Sequence, residues 1–341
     1  MVEIFGTLPN GQTARLYTIY GGGLTVRVTD LGATLVSVLA PDRAGQPKDV
    51  VLGYDTPQGY LENGGFLGAV VGRNANRVGA SRLTVSGTPV ALTPNEGPNN
   101  LHSGPDFWSS RLWAVEEATE EAVTFALSTP DGDQGFPGAG EVRVTYRLTG
   151  NRLTVTYEGR FDRDTVFNMT NHAYFNLAGQ SNPQAAMTQM LTLRAAGFTE
   201  VDGGSIPTGR ILPVAGTALD FRAPKALGTG REHDPLLAPQ GGIDHNFVLD
   251  GRDFTLPAAR LQDPASGRTL TVYTDCPGIQ VYCANFLEAT GKGGIRYGRN
   301  SGVCLETQFY PDSVNHPQWP QPFVKAGQTA RSETAFVFEA L

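Results

Sequence analysis

The chain has 341 residues and a mass of 36.4 kDa, with a net charge of −7 and a pI near 5.3. That balance argues against a nucleic-acid backbone as partner, which needs a basic footprint, and equally against an anionic membrane surface. Charged residues make up only 17%, below the usual ~25%, and there are 42 glycines, so a turn-rich folded chain is expected rather than a disordered one.

The opening MVEIFGTLPNG has no basic n-region and no apolar h-region, so no signal peptide is expected. Apolar runs such as 66–72 are far too short to span a bilayer. Leu24, Val26 and Val28 alternate with Thr25, Arg27 and Thr29, a period of two that predicts a half-buried strand. Gly21-Gly22-Gly23 before it reads as a plain turn, because it does not open a helix. Thr34–Leu39 is a second strand candidate, 58–65 holds one short helix, and 66–72 reads as a buried strand. Ser86-Gly87, flanked by Leu83, Val85, Val90 and Leu92, predicts a hairpin. Val142, Val144, Tyr146 and Leu148 alternate with polar residues up to Gly150-Asn151, and Leu153, Val155 and Tyr157 follow, which is the strongest hairpin signal in the chain.

Further strands are expected at 244–249, 269–274, 279–286, 302–310 and 334–339. No amphipathic helical stretch, fixed repeat or linker interrupts them. An all-β fold follows, a large antiparallel β-sandwich with few short helices. Residues 1–341 read as a single domain, since no composition shift marks a boundary.

Polar side chains concentrate where strands should be packing. In TNHAYFNL, 170–177, an extended backbone puts Thr170, His172, Tyr174 and Asn176 on one face and Ala173, Phe175 and Leu177 with Asn171 on the other. A polar face inside an aromatic-rich strand costs desolvation unless it has partners or lines a cavity. Any single such histidine reads more readily as a satisfied core residue. The pattern recurs, however. Cys304, Glu306 and Gln308 share a face in GVCLETQFY, Gln280 and Tyr282 in CPGIQVYCANF, and an Asp-His-Asn triplet opens GIDHNFVL at 242–249.

The histidines His102, His172, His233, His245 and His316 show no zinc spacing, and no Cys/His cluster or GxSxG elbow occurs. Cys276, Cys283 and Cys304 form no CxxC and are expected to be reduced thiols of a cytoplasmic protein.

GRNANRV at 72–78, NNLHSG at 99–104, TNHAYFNL, DHNF at 244–247, PGIQVYCANF at 277–286 and LETQFYPDSVNHPQWP at 305–320 together resemble the motifs of the aldose 1-epimerase (galactose mutarotase) family. They follow the family's order across nearly the whole chain. Ser103 stands where a second glycine is common, and Trp319 where Phe is usual.

The resemblance implies a supersandwich with a sugar cleft and interconversion of the α and β anomers of free aldohexoses such as glucose and galactose. It implies Glu306 as general base and His172 as general acid. It also implies that Asn76, Arg77, His102, Tyr174, Asp244 and Gln280 hold sugar hydroxyls. The partner would be the small sugar alone, bound by a monomer or homodimer.

Such chemistry removes a proton from the C1 hydroxyl and adds one to the ring oxygen, without redox change or group transfer, so no cofactor is expected. A carboxylate near pKa ~4.3 and an imidazole near ~6.5 start in suitable states, ionised and protonated, and the Glu306 charge is expected to raise His172 further. Two rival readings are a glycoside hydrolase using Asp244 with Glu306, and a non-catalytic carbohydrate-binding protein. The His172 position disfavours the first and the acid–base pair the second.

Overall fold

The computed structural model describes residues 1–62, 64–229 and 234–341, so His233 lies outside the described residues. Two antiparallel sheets make the sandwich. One has nine strands, in the order Ala114–Ala118, Ala122–Thr129, Gly140–Thr149, Arg152–Phe161, Thr329–Ala340, Arg268–Thr274, Ala259–Gln262, Met190–Leu193 and Lys225–Ala226. The other has six, in the order Tyr174–Phe175, Val303–Gln308, Gly278–Tyr282, Asp244–Val248, Gly197–Val201 and Pro207–Pro213. A five-stranded sheet formed by residues 2–49 completes the architecture. The all-β expectation is met, and the helix expected within 58–65 is Pro57–Leu61.

Alternation dictates how the sheets meet. Val142, Val144, Tyr146 and Leu148 of the large sheet are buried in the same core as Phe247, Ile279, Val281, Val303 and Leu305 of the six-stranded sheet. Phe175 bridges the two layers, its ring 5.2 Å from Phe336. Gly22-Gly23 closes the hairpin between Thr13–Gly21 and Leu24–Thr29 with φ of 53° and 81°, the left-handed pair that suits strand twist. A Cβ on Gly22 would lie 2.3 Å from the Gly150 carbonyl carbon, so two turns of the sandwich touch there through glycine.

Two expected strands are shorter than the sequence pattern suggests. In 66–72 only Val70–Val71 is extended, because Phe66 (φ 56°) and Gly68 (φ 67°) turn the chain. The strand expected at 279–286 stops at Tyr282, and Ala284 (φ 49°) bends the chain away.

The segment 170–177 is not one strand either. Thr170–Asn171 pairs with Val70–Val71, whereas Tyr174–Phe175 pairs with Cys304 and Val303 in the six-stranded sheet. Asn171 shapes the crossing: its Oδ1 accepts the Ala173 N–H, and its Nδ2 donates to Gly68 O and Tyr146 Oη. His172 therefore sits at the junction of two pairings, its backbone N–H donating to Ala69 O and its carbonyl accepting from Gly68. Ala173, Phe175 and Leu177 enter the core as expected. Of the polar set, only His172 and Tyr174 reach the cleft. Asn176 is buried away from it, with Nδ2 donating to the Asn182 and Ser301 carbonyls.

Candidate active site

The core-facing side of the six-stranded sheet is apolar, so register decides what the opposite side carries. Asp244 lies opposite Tyr282, Tyr282 opposite Cys304, and Cys304 opposite Tyr174. One step along, Asn246 lies opposite Gln280, and Gln280 opposite Glu306. Residues directly paired in antiparallel strands share a face, so two cross-strand rows gather these side chains from four strands. Above them opens a cleft of about 700 Å³, lined by Asn76, Arg77, His102, His172, Tyr174, Asp244 and Glu306 among others. That volume is within the range of small-molecule sites.

At its floor, His172 Nε2 lies 3.6 Å from Glu306 Oε1, and both side chains are almost fully buried. Burial governs both pKa values and shifts them opposite to the protonation expected from sequence. It pushes the His172 imidazole down to about 4. It pushes the Glu306 carboxyl well above the ordinary carboxylate range, aided by the Asp244 charge and opposed by Arg77. Burial thus favours the uncharged form of each partner, imidazole and carboxylic acid.

Arg77 forms a two-pronged bond to Glu96, Nε to Oε2 at 2.7 Å and Nη2 to Oε1 at 2.9 Å, and its Nη1 lies 3.9 Å from Asp244 Oδ2. Burial works against the guanidinium charge, but the Glu96 and Asp244 carboxylates outweigh it and hold the pKa above its usual value. Asp244 is itself raised by burial, against the opposing effects of Arg77 and of Gln280, whose Nε2 donates to Oδ1 at 2.6 Å. Gln280 does not line the cleft. It stands beside Asp244, whose carboxylate it orients through that hydrogen bond. Tyr174 likewise uses its hydroxyl on Gly65 O, at 2.6 Å, and stacks its ring on His172 with centroids 5.1 Å apart.

His102 and Asn76 grip each other. The Asn76 N–H donates to His102 Nδ1, and the His102 N–H donates to Asn76 O, each at 3.1 Å. An Nδ1 that accepts leaves the ring proton of the neutral imidazole on Nε2. Burial, with smaller contributions from His172 and Arg77, keeps that ring uncharged.

His102, His172 and Glu306 present ligand atoms within 4.8 Å of one another, compact enough for a metal ion. The donor set fits one poorly. Ligation through His102 Nε2 would move its proton to Nδ1, against the Asn76 N–H.

Ser103 explains how a non-glycine residue is accommodated beside His102. Its φ is 60°, a left-handed conformation costing roughly 1–2 kcal/mol. Its hydroxyl offsets this by accepting the Asn74 N–H at 2.8 Å and donating to Asn74 O at 2.9 Å. Ser103→Ala keeps the strained backbone and leaves a buried N–H unpaired. It should lower stability by about 1–3 kcal/mol in denaturant titration, whereas Ser103→Gly, which relieves the strain, should lose less.

Sequence reasoning missed Glu96, Phe66 and Phe286 as site residues. Glu96 lies in a turn with no periodicity to expose it, and Phe66 was placed in a strand. Phe66 in fact turns its ring onto His102 (4.9 Å) and His172 (5.9 Å). Phe286, 72% exposed at the cleft, follows the bend that ends its strand.

Fold and site together define a β-sandwich protein with a buried imidazole–carboxyl pair at the base of a small-molecule cleft. Residues 15–337 match the family model described as aldose 1-epimerase. Galactose mutarotase of Mus musculus is 41% identical over 338 residues, covering 98% of this chain and 97% of that protein. Aldose 1-epimerase of Escherichia coli K12 is 40% identical over 338 residues, covering 97% of each. The crystal structure of an aldose epimerase homologue from C. elegans aligns with a TM-score of 0.88 at 31% identity, over 95% of this chain and 98% of that one. The chain belongs to the aldose 1-epimerase family.

Proposed function

We propose that this chain, acting as one catalytic domain, interconverts the α and β anomers of free aldohexoses, with Glu306 as base and His172 as acid. The observation that carries this reading is the 3.6 Å approach of an imidazole nitrogen to a carboxylate oxygen on the cleft floor. The anomeric hydroxyl and the ring oxygen are substituents of one carbon, so the groups serving them must lie within a few ångströms of each other. The partner of Glu306 at that distance is an imidazole, which separates this arrangement from the paired carboxylates of glycoside hydrolysis.

Burial supports the direction of proton flow. A bound pyranose supplies hydroxyl donors to the Glu306 carboxylate, whose Oε2 has no hydrogen-bond partner among the described residues, and it offers its ring oxygen to His172 Nε2–H. Those contacts favour the charged forms, carboxylate and imidazolium. Transfer of the C1 hydroxyl proton to Glu306 and of the His172 proton to the ring oxygen then discharges both ions. The C1–O5 bond breaks and the open-chain aldehyde forms. Rotation about C1–C2 and the reverse transfers close the ring on either face. The uncharged pair that burial prefers is thus the pair that accompanies the open chain, and no proton is gained or lost overall.

Asn76, Arg77, His102 and Asp244 supply the donors and acceptors a polyol needs, with Tyr174 and Gln280 supporting them from behind. The described lining residues include the carboxylates of Glu62, Glu96, Asp244 and Glu288 beside Glu306, and one cation, Arg77, already engaged by Glu96 and Asp244. This supports an unphosphorylated sugar, since a phosphate would meet repulsion there. The acidic chain argues likewise against nucleic acid and anionic membranes, and no described helix is long and apolar enough to cross a bilayer. A cytoplasmic monomer or homodimer completes the reading.

Polarimetry of freshly dissolved α-D-glucose and α-D-galactose tests it, with accelerated relaxation to anomeric equilibrium expected before and after dialysis against EDTA. No acceleration for either sugar refutes the assignment, and loss on EDTA restored by a divalent cation refutes the cofactor-free mechanism. The dependence of kcat/KM on pH should be bell-shaped, reporting the free protein. Its acid limb should lie near the depressed His172 value of about 4, where the imidazole takes up a second proton for the pair. Its alkaline limb should lie above the ordinary carboxylate range, where Glu306 releases its proton.

A further inference from the structure

Tyr282 carries a phenol that the protein engages from one side only. The residue ends its strand, lines the cleft and is half-buried. Its Oη accepts the Phe286 N–H at 3.2 Å, brought within reach by the bend at Ala284. A phenol oxygen bonds as acceptor and as donor, and its O–H points away from the donor it accepts. Among the described residues that O–H meets no acceptor. Burial pushes the phenol pKa up, against the effect of the Phe286 N–H, so the proton stays on the oxygen. The ring stands edge-on to His172 at 6.1 Å and to Tyr174 at 6.0 Å. Across the strand pair it faces Asp244, and side chains so paired have Cβ atoms about 4.5–5.5 Å apart. Asp244 Oδ1 accepts from Gln280, and Oδ2 lies 3.9 Å from Arg77 Nη1. A carboxylate oxygen has two lone pairs, so both can still accept from a ligand.

We propose that Tyr282 is a sugar-recognition residue, donating its O–H to the same sugar hydroxyl that donates to Asp244. This rests on the aldose reading above. A sugar hydroxyl is donor and acceptor at once. Asp244 alone would take its proton but leave its lone pairs unmet and the O–H free to swing about the C–O bond. A phenol donor beside the carboxylate meets both halves of the hydroxyl and so fixes the direction of its C–O bond against the sheet. Tyr174 does not serve this way, because its hydroxyl donates to Gly65 O. Glu306 and His172 serve the anomeric hydroxyl and the ring oxygen, so the hydroxyl read by Tyr282 belongs to C2, C3, C4 or C6. Only a sugar with oxygen at that position gains the contact.

The test is Tyr282→Phe, titrated by NMR with glucose and with its 2-, 3-, 4- and 6-deoxy analogues, beside polarimetric kcat/KM on the same sugars. Phenylalanine keeps the ring against His172 and Tyr174. The Phe286 N–H it leaves unpaired lies at the exposed rim, where water replaces the phenol, so the melting temperature should stay near the wild-type value. Affinity for glucose and for three of the analogues should fall by about 3–10-fold, the net effect of one neutral hydrogen bond. The remaining analogue, which lacks the hydroxyl Tyr282 meets, should bind variant and wild type alike. A shifted Phe286 segment or a loosened cleft would instead weaken every sugar by the same factor. A uniform loss across the panel therefore overturns the proposal, and so does no loss for any sugar. Asp244→Asn, titrated with the same panel, should lose least for that same analogue, and a different one overturns the shared hydroxyl. Because titration reads binding without turnover, a protein that shows this pattern yet does not mutarotate counts against the proposed function and leaves the Tyr282 assignment intact. One that mutarotates with a uniform loss counts against Tyr282 alone.

Discussion

Glu306→Gln should lower kcat by about 10²–10⁴-fold while sugar still binds, and His172→Gln should do the same. The amide of the first variant keeps the shape and hydrogen-bonding capacity of the carboxyl but cannot take the C1 hydroxyl proton. The second keeps a polar side chain but cannot deliver a proton to the ring oxygen. The 3.6 Å separation makes the pair one device, since each transfer is useless without the other. The double variant should therefore lose far less than the product of the single losses. A second readout excludes a merely structural effect. Burial disfavours the charged form of Glu306, so replacing it with a neutral amide of the same shape should cost the core little. The melting temperature of Glu306→Gln should stay near the wild-type value while turnover collapses. A folded Glu306→Gln protein that mutarotates at the wild-type rate would refute the mechanism.

The sandwich was legible because its strands are amphipathic. Val142, Val144, Tyr146 and Leu148 announce a period of two, and all four are fully buried on one face. The rows of the cleft were legible for the same reason, since Glu306 with Cys304, and Gln280 with Tyr282, occupy alternate positions of well-formed strands. Three things were not legible. The chain crossing at His172 depends on Asn171 capturing Gly68 O and the Tyr146 hydroxyl, contacts made across 103 and 25 residues of sequence. Alternation therefore placed Asn176 with His172, although the bend sends it elsewhere. The Arg77–Glu96 pair joins a two-residue strand to a turn, too short for periodicity to operate. The protonation of the central pair depends on the depth of burial, which residue type cannot express. Solution pKa values suggest a charged pair, and desolvation shifts both groups toward their uncharged forms.

Arg77→Ala should be the most damaging change outside the acid–base pair, lowering kcat/KM by about 10²-fold or more. Removing one partner of a buried ion pair typically costs about 3–5 kcal/mol, because the charge left behind has no compensation; here buried Asp244 loses its partner, while Glu96, more exposed, is partly compensated by solvent. Arg77→Lys restores the charge but not the fork that grips both Glu96 oxygens, so it should recover only part of the loss. The electrostatic role can be separated from sugar binding by the sign of a pH shift. Arg77 lowers the Glu306 pKa and Asp244 raises it. Deleting the cation should therefore move the alkaline limb of kcat/KM to higher pH, because Glu306 then holds its proton more tightly. Asp244→Asn removes the opposing charge and should move the same limb to lower pH, while raising KM through the lost acceptor. Both variants weaken substrate recognition, so a role in binding alone predicts two slower proteins with one unmoved profile. Limbs displaced in opposite directions would establish that these residues set the proton affinity of Glu306 as well. Limbs displaced in the same direction would show that its carboxyl does not sense either neighbour as the geometry requires.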